Sequence, residues 1–221
     1  MGNFRLRNFN NIIGIKMGIA LTGFILFLFL IVHVLGNLQI FLGKEIFNAY
    51  ARTLHSFPLV ISVARTILFF VFASHVMLVL TFRRRYLDRS YLRSTYKRRY
   101  LPVELGYFLS HYMYITGLII LFFLMVHMVQ FVVIGSGDDN IHEFAVFLFS
   151  HIGVDIFYII ALFALCIHTV QGTRVFSQSL GIDHFQGNQL TKAKKIGPKL
   201  AVLVCLLSMS IPISILSGFI K

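Results

Sequence analysis

The sequence predicts an all-α membrane protein of five transmembrane helices, with its N-terminus inside and its C-terminus outside. Hydrophobic residues fill 57% of the 221 positions and charged residues only 13%. The mean hydropathy is +0.82, well outside the range of a water-soluble domain. Five apolar runs, at about 17–41, 59–82, 111–134, 153–176 and 200–220, are each long enough to cross ~30 Å of hydrocarbon at ~1.5 Å per residue. The connections between them alternate in charge. The whole chain, 1–221, therefore reads as a single transmembrane domain.

The first run follows a short amphipathic piece carrying Arg5, Arg7 and Lys16, expected at the inner surface. It continues into Gly36-Asn37-Leu38-Gln39 rather than a small-residue cleavage site, so it is expected to be a retained helix. The connection after the second run holds Arg83, Arg84, Arg85, Arg89, Arg93, Lys97, Arg98 and Arg99. The connection after the third holds Asp138, Asp139 and Glu143 without Lys or Arg, and the one after the fourth has Lys192, Lys194, Lys195 and Lys199. Positive charge stays inside, which sets the orientation and an odd number of crossings. The net charge of +12 is thereby accounted for by topology, and nucleic-acid binding is excluded. The fifth run contains Ser208, Ser210 and Pro212 but no histidine, the pattern of a kinked packing helix. Cys166 and Cys205 lie inside apolar runs without motif spacing and are expected to be small core residues.

Each of the first four runs carries one deep histidine: His33, His75, His127 and His168. Thr22-Gly23 precedes His33 at the same spacing as Thr116-Gly117 precedes His127. With alternating span directions, His33 and His127 fall in the outer half of the bilayer and His75 and His168 in the inner half. Each lies roughly 5–7 Å from the midplane, so the two layers are about 12 Å apart. One imidazole in a membrane helix can simply hydrogen-bond a neighbour. Two pairs at matched depth suit bis-histidine haem, which needs two imidazoles at one height on different helices. Gly18, Ala20 and Gly23, Gly117, Ala73 and Ser74, and Gly172 could supply the flat helix faces such a group needs. A zinc site wants three or four converging ligands, and a copper or diiron site lacks its methionines or carboxylates. His55, His142, His151 and His184 fall in connections, where a solvated imidazole is expected, and His111 falls at the inner interface. Arg65, Arg174 and Glu45 are candidate contacts for a quinone or a haem propionate. Asn48, Tyr50 and His55 in the first outer connection are candidate proton-handling groups.

The run His33-Val34-Leu35-Gly36-Asn37-Leu38-Gln39, the run Phe47-Asn48-Ala49-Tyr50-Ala51 and the Thr-Gly pairs resemble the dihaem cytochrome b subunit of bacterial succinate:quinone oxidoreductases. The resemblance extends over essentially the whole chain. It implies two haem b groups, the inner held by His75 and His168 and the outer by His33 and His127. It also implies a bacterial cytoplasmic membrane and a flavoprotein and an iron-sulfur subunit on the inner face, with the basic 83–99 stretch as part of their docking surface. The substrate of the membrane part would be a quinone, with menaquinone the expected species. Proton-conducting dihaem fumarate reductases carry a carboxylate two residues before the fourth-span histidine. Cys166 stands there, which favours a succinate dehydrogenase over a fumarate reductase anchor. The competing expectations are a cytochrome b subunit of a formate dehydrogenase or hydrogenase, and a haem-free transporter or anchor.

Overall fold

In the computed structural model the backbone is described for residues 2–93, 103–135, 140–179 and 188–221, and side chains for 14–85, 112–135, 140–177, 179 and 196–221. The expectations placed on Arg5, Arg7, His111, Asp138, Asp139, His184, Lys192, Lys194, Lys195 and the basic side chains beyond Arg85 lie outside these ranges. The described elements are helical: α1 (Gly2–Asn37), a 3₁₀ turn (Leu38–Leu42), α2 (Lys44–His55), α3 (Pro58–Arg93) and α4 (Val103–Met128). A π-helical stretch (Val129–Ile134), α5 (Ile141–Phe149), α6 (Ile152–Ser179) and α7 (Asn188–Leu216) complete them. Five segments, Gly14–Leu42, Pro58–Arg85, Tyr112–Ile134, Ile152–Ser177 and Ile196–Leu216, are long and apolar enough to cross a membrane. The chain is a multi-pass membrane protein.

Local chemistry sets the ends. Pro58, whose missing N–H loses nothing in a first turn, opens α3. The fifth span ends at Leu216 and not near Ile220 as expected. The cause is Gly218, which takes φ +75°, while Phe219 N–H reaches the Ser214 carbonyl at 3.0 Å and Gly218 N–H that of Ile215 at 2.9 Å. This is a Schellman stop, for which a glycine past the helix end is the favoured residue. The N-terminal piece is no separate element, since α1 runs unbroken from Gly2.

The packing order is α3 on α1, α1 on α6, and α6 between α4 and α7. In lipid the contact between helices depends on close packing rather than on escape from water. Small residues accordingly lie at the closest approaches: Ala161, Ala164 and Ala201 are buried on α6 and α7, and a Cβ at Gly18 of α1 would stand 2.9 Å from Leu78 Cδ1 of α3. None of the hydrophobic window of α3 is buried within the chain, and its main packing partner is α1.

The two connections expected as outer loops are instead helices, α2 and α5, which pack together and cap one end of the bundle. Under them lies a cluster of Ile40, Phe47, Ala145, Phe149, Tyr158, Ile215 and Ile220. His142, expected to be solvated, is only 3% exposed. Its N–H donates to Asn48 Oδ1 at 3.0 Å, and its ring meets Phe47 edge-on at 6.3 Å. Asn48 is therefore a buried clamp rather than a proton-handling group, its amide also reaching Asn140 Oδ1 at 3.4 Å. Lys44 pairs with Glu143 on the surface between the same two helices, and this hydrogen bond holds the Lys44 ammonium above its ordinary range.

Burial, aided by the Lys44 charge, holds the His142 imidazole below its ordinary 6.5. The unfolded chain thus binds this proton more tightly. The stabilisation is complete above pH 6.5 and is lost as pH falls through the depressed native value. Lowering the pH from about 7.5 to about 5 should reduce the thermal midpoint of the protein more than that of a His142→Phe variant; an identical pH dependence in both would contradict this role. Enlarging a fully buried alanine of α7, in Ala201→Leu, should destabilise the fold by about 1–3 kcal/mol. Unfolding in a graded detergent series measures it, and an unchanged midpoint would remove Ala201 from the interface.

Candidate functional site

The four deep histidines meet two by two across the bundle. His33 of α1 and His127 of α4 have ring centres 5.9 Å apart with planes at 89°. His75 of α3 and His168 of α6 have ring centres 6.5 Å apart with planes at 73°. The first pair lies toward the capped end and the second toward the opposite end, where Arg83 of α3 stacks on the Tyr114 ring of α4 at 3.5 Å.

The surroundings of the pairs differ. His127 sits in an aromatic sleeve: Phe123 lies 5.5 Å away and nearly parallel, Phe131 at 5.0 Å, and Tyr158 at 6.0 Å. Phe29 flanks His33 at 5.4 Å. His127 Nδ1 is 3.1 Å from the Tyr158 hydroxyl, which donates to Gln130 Oε1 at 2.6 Å. The switch from α- to π-helix directly after Met128 turns Gln130 and Phe131 relative to a straight α-helix, and such stretches recur at functional sites. Around the second pair the neighbours are small and hydroxylated. Thr22 Oγ1 is 2.9 Å from His75 Nδ1, and Thr116 Oγ1 is 3.3 Å from His168 Nδ1. Gly23 and Gly117 lie against the same two rings. Of the small residues expected to flatten the faces beside His33 and His127, Gly23 and Gly117 thus lie against histidines of neighbouring helices, whereas Gly18 lies against Leu78.

Ring separation tests whether these pairs fit an iron. A metal–imidazole bond is about 2 Å and the ring centre stands about 1 Å further on, so two imidazoles on one metal have centres about 6 Å apart. Two imidazoles hydrogen-bonded in line, with nitrogens about 2.9 Å apart, would have centres about 5 Å apart. The observed 5.9 and 6.5 Å match the first arrangement and exclude the second, and they also lie within the ~4.5–7 Å of edge-to-face ring contacts. Among the described residues no three His, Cys, Asp or Glu side chains converge on one point.

The other candidates are dispersed. Arg65 and Glu45 are exposed, near the capped end, and His55 and His151 are exposed as well. Arg174 is exposed at the rim of a cleft of about 280 Å³ that Met113, Cys166, Val170 and Gln171 also line. Sequence reasoning missed Tyr158, Gln130 and the Arg83–Tyr114 stack; the signal was available as isolated polar groups inside apolar runs. It also passed over Asp155, fully buried near the start of α6, whose carboxylate oxygens have no hydrogen-bond partner in the described structure.

No curated protein and no solved structure matches the chain. The family model for the succinate dehydrogenase/fumarate reductase transmembrane subunit matches residues 85–209, more than half of the sequence and the part that holds His127, His168 and the helices bearing them. With five apolar helices around two facing histidine pairs, the chain belongs to that family of membrane-anchor subunits.

Proposed function

We propose that this chain is the cytochrome b anchor of a succinate dehydrogenase in a bacterial cytoplasmic membrane, carrying electrons to a quinone, with menaquinone as the expected species. The observation that carries the proposal is the spacing of the two histidine pairs, 5.9 and 6.5 Å, which suits one iron between each pair. When bound, haem b supplies one-electron transfer between partner subunits and quinone. His33 with His127 would hold one haem and His75 with His168 the other.

The chain's own residues fix where these groups stand. Phe123, Phe131 and Tyr158 hold the His127 ring on three sides. The basic end, with Lys16 against the Phe82 ring and Arg83, Arg84 and Arg85 following, is the inner surface by the positive-inside rule. There it would meet an iron-sulfur subunit and, beyond it, a flavoprotein that oxidises succinate. The capped end is then the outer surface, where exposed Glu45 and His55 can exchange protons with water near a quinone. Cys166 in place of a carboxylate two residues before His168 favours succinate oxidation over fumarate reduction. The only acid on α6 is Asp155, near its opposite end.

A pyridine haemochrome assay on the purified complex should return two b haems per copy of this chain. His33→Ala and His127→Ala should each lose one haem, and His75→Ala and His168→Ala the other, with distinct spectra for the two losses. A folded, colourless preparation would leave a haem-free anchor or transporter. Retention of both haems in His33→Ala would overturn the pairing.

A further inference from the structure

Thr22 stands eleven residues before His33, and Thr116 eleven before His127. Eleven residues are about three helical turns, so on α1 and on α4 a hydroxyl and an imidazole share one face about 16 Å apart. The repeat does not serve the histidine of its own helix: the Thr22 hydroxyl of α1 meets His75 of α3, and the Thr116 hydroxyl of α4 meets His168 of α6.

Proton bookkeeping fixes the direction of both bonds. A threonine hydroxyl has one hydrogen to give. Thr22 gives it to the Gly18 carbonyl at 2.7 Å, with that of Ile19 at 3.2 Å. Thr116 gives it to the Tyr112 carbonyl at 2.8 Å, with that of Met113 at 3.2 Å. Only oxygen lone pairs remain to face the rings, so each histidine must donate from Nδ1. A neutral imidazole has a single N–H, which leaves the lone pair on Nε2.

We propose that Thr22 and Thr116 are matched positioning residues for the haem of His75 and His168, each locking its histidine into the tautomer that offers Nε2 to iron. The inference rests on the haem reading above. Gly23 keeps the first contact open: a Cβ there would stand 3.2 Å from His75 Cε1, closer than an ordinary contact, so that the ring would have to give way, whereas one at Gly117 would stand at an ordinary 3.5 Å from His168 Cε1. An acceptor on Nδ1–H also makes Nε2 a stronger donor, which stabilises oxidised iron and lowers the potential. The His127 site uses a phenol for the same purpose, Tyr158 with its proton given to Gln130, so the hydroxyls of threonine mark one haem level only.

The test is a redox titration of the purified complex, followed in the haem α-band, with low-temperature electron paramagnetic resonance of the oxidised form. Thr22→Val and Thr116→Val keep the shape and remove the hydroxyl acceptor, leaving the Ile19 and Met113 carbonyls that also face these rings, whereas Thr22→Ser and Thr116→Ser keep the hydroxyl. Each valine variant should raise the potential of one haem, the one that His75→Ala and His168→Ala lose, and leave the other in place, with serine restoring the original value. Loss of that haem alone in the valine variants, with retention in the serine variants, would support the same assignment. Unmoved potentials and resonances in both valine variants, or equal shifts in the serine variants, would overturn it. A haem-free unmodified protein would instead remove the underlying reading.

Discussion

An imidazole in hydrocarbon is costly unless its polar atoms find partners, and this bundle supplies a hydroxyl to three of the four deep histidines. Three have a hydroxyl at Nδ1: Thr22 for His75, Thr116 for His168 and Tyr158 for His127. Each ring also meets a second histidine, with ring centres 5.9 Å apart in one pair and 6.5 Å in the other. Helix order follows from the same requirement. With α3 on α1 and α4 on α6, each histidine pair joins one helix of the α1–α3 pair to one of the α4–α6 pair.

The two levels are built differently. Toward the cap, rigid aromatic rings enclose the histidines, and a π-helical stretch aims Gln130 and Phe131 at them. Toward the basic end, glycines and threonines replace the aromatics, so neighbouring backbones approach the rings directly. Small residues, Ala161, Ala164 and Ala201, are also buried on α6 and α7, the most extensively packed pair of helices. The cap formed by α2 and α5 then closes one end over its own buried cluster. A basic end and a sealed end give the molecule the polarity that an electron-carrying anchor would need.

Much of this was legible in the residues. Each span is a run of about twenty apolar positions, a signal that survives without any tertiary contact, and the structure agrees with the expected limits to within a few residues at most ends. Deep histidines were equally visible, because each is the one imidazole well inside its apolar run. What escaped was whatever depends on a neighbour. Helices α2 and α5 are short and amphipathic, so His142 and Asn48 looked solvated until the two helices were brought together. The Thr-Gly repeat was plain as a pattern, but periodicity within one helix cannot tell which other helix its face will meet. The end of α7 turned on one glycine conformation, which an apolar run extending to Ile220 concealed.

The central claim is that each histidine pair closes on one metal as its two axial ligands. Near-infrared magnetic circular dichroism of the oxidised complex reports the axial ligands of a haem directly. Charge-transfer bands of low-spin bis-imidazole iron for all the haem present would agree with the pairing of His33 with His127 and His75 with His168. Bands of a histidine–methionine pair, or of high-spin five-coordinate iron, would contradict it.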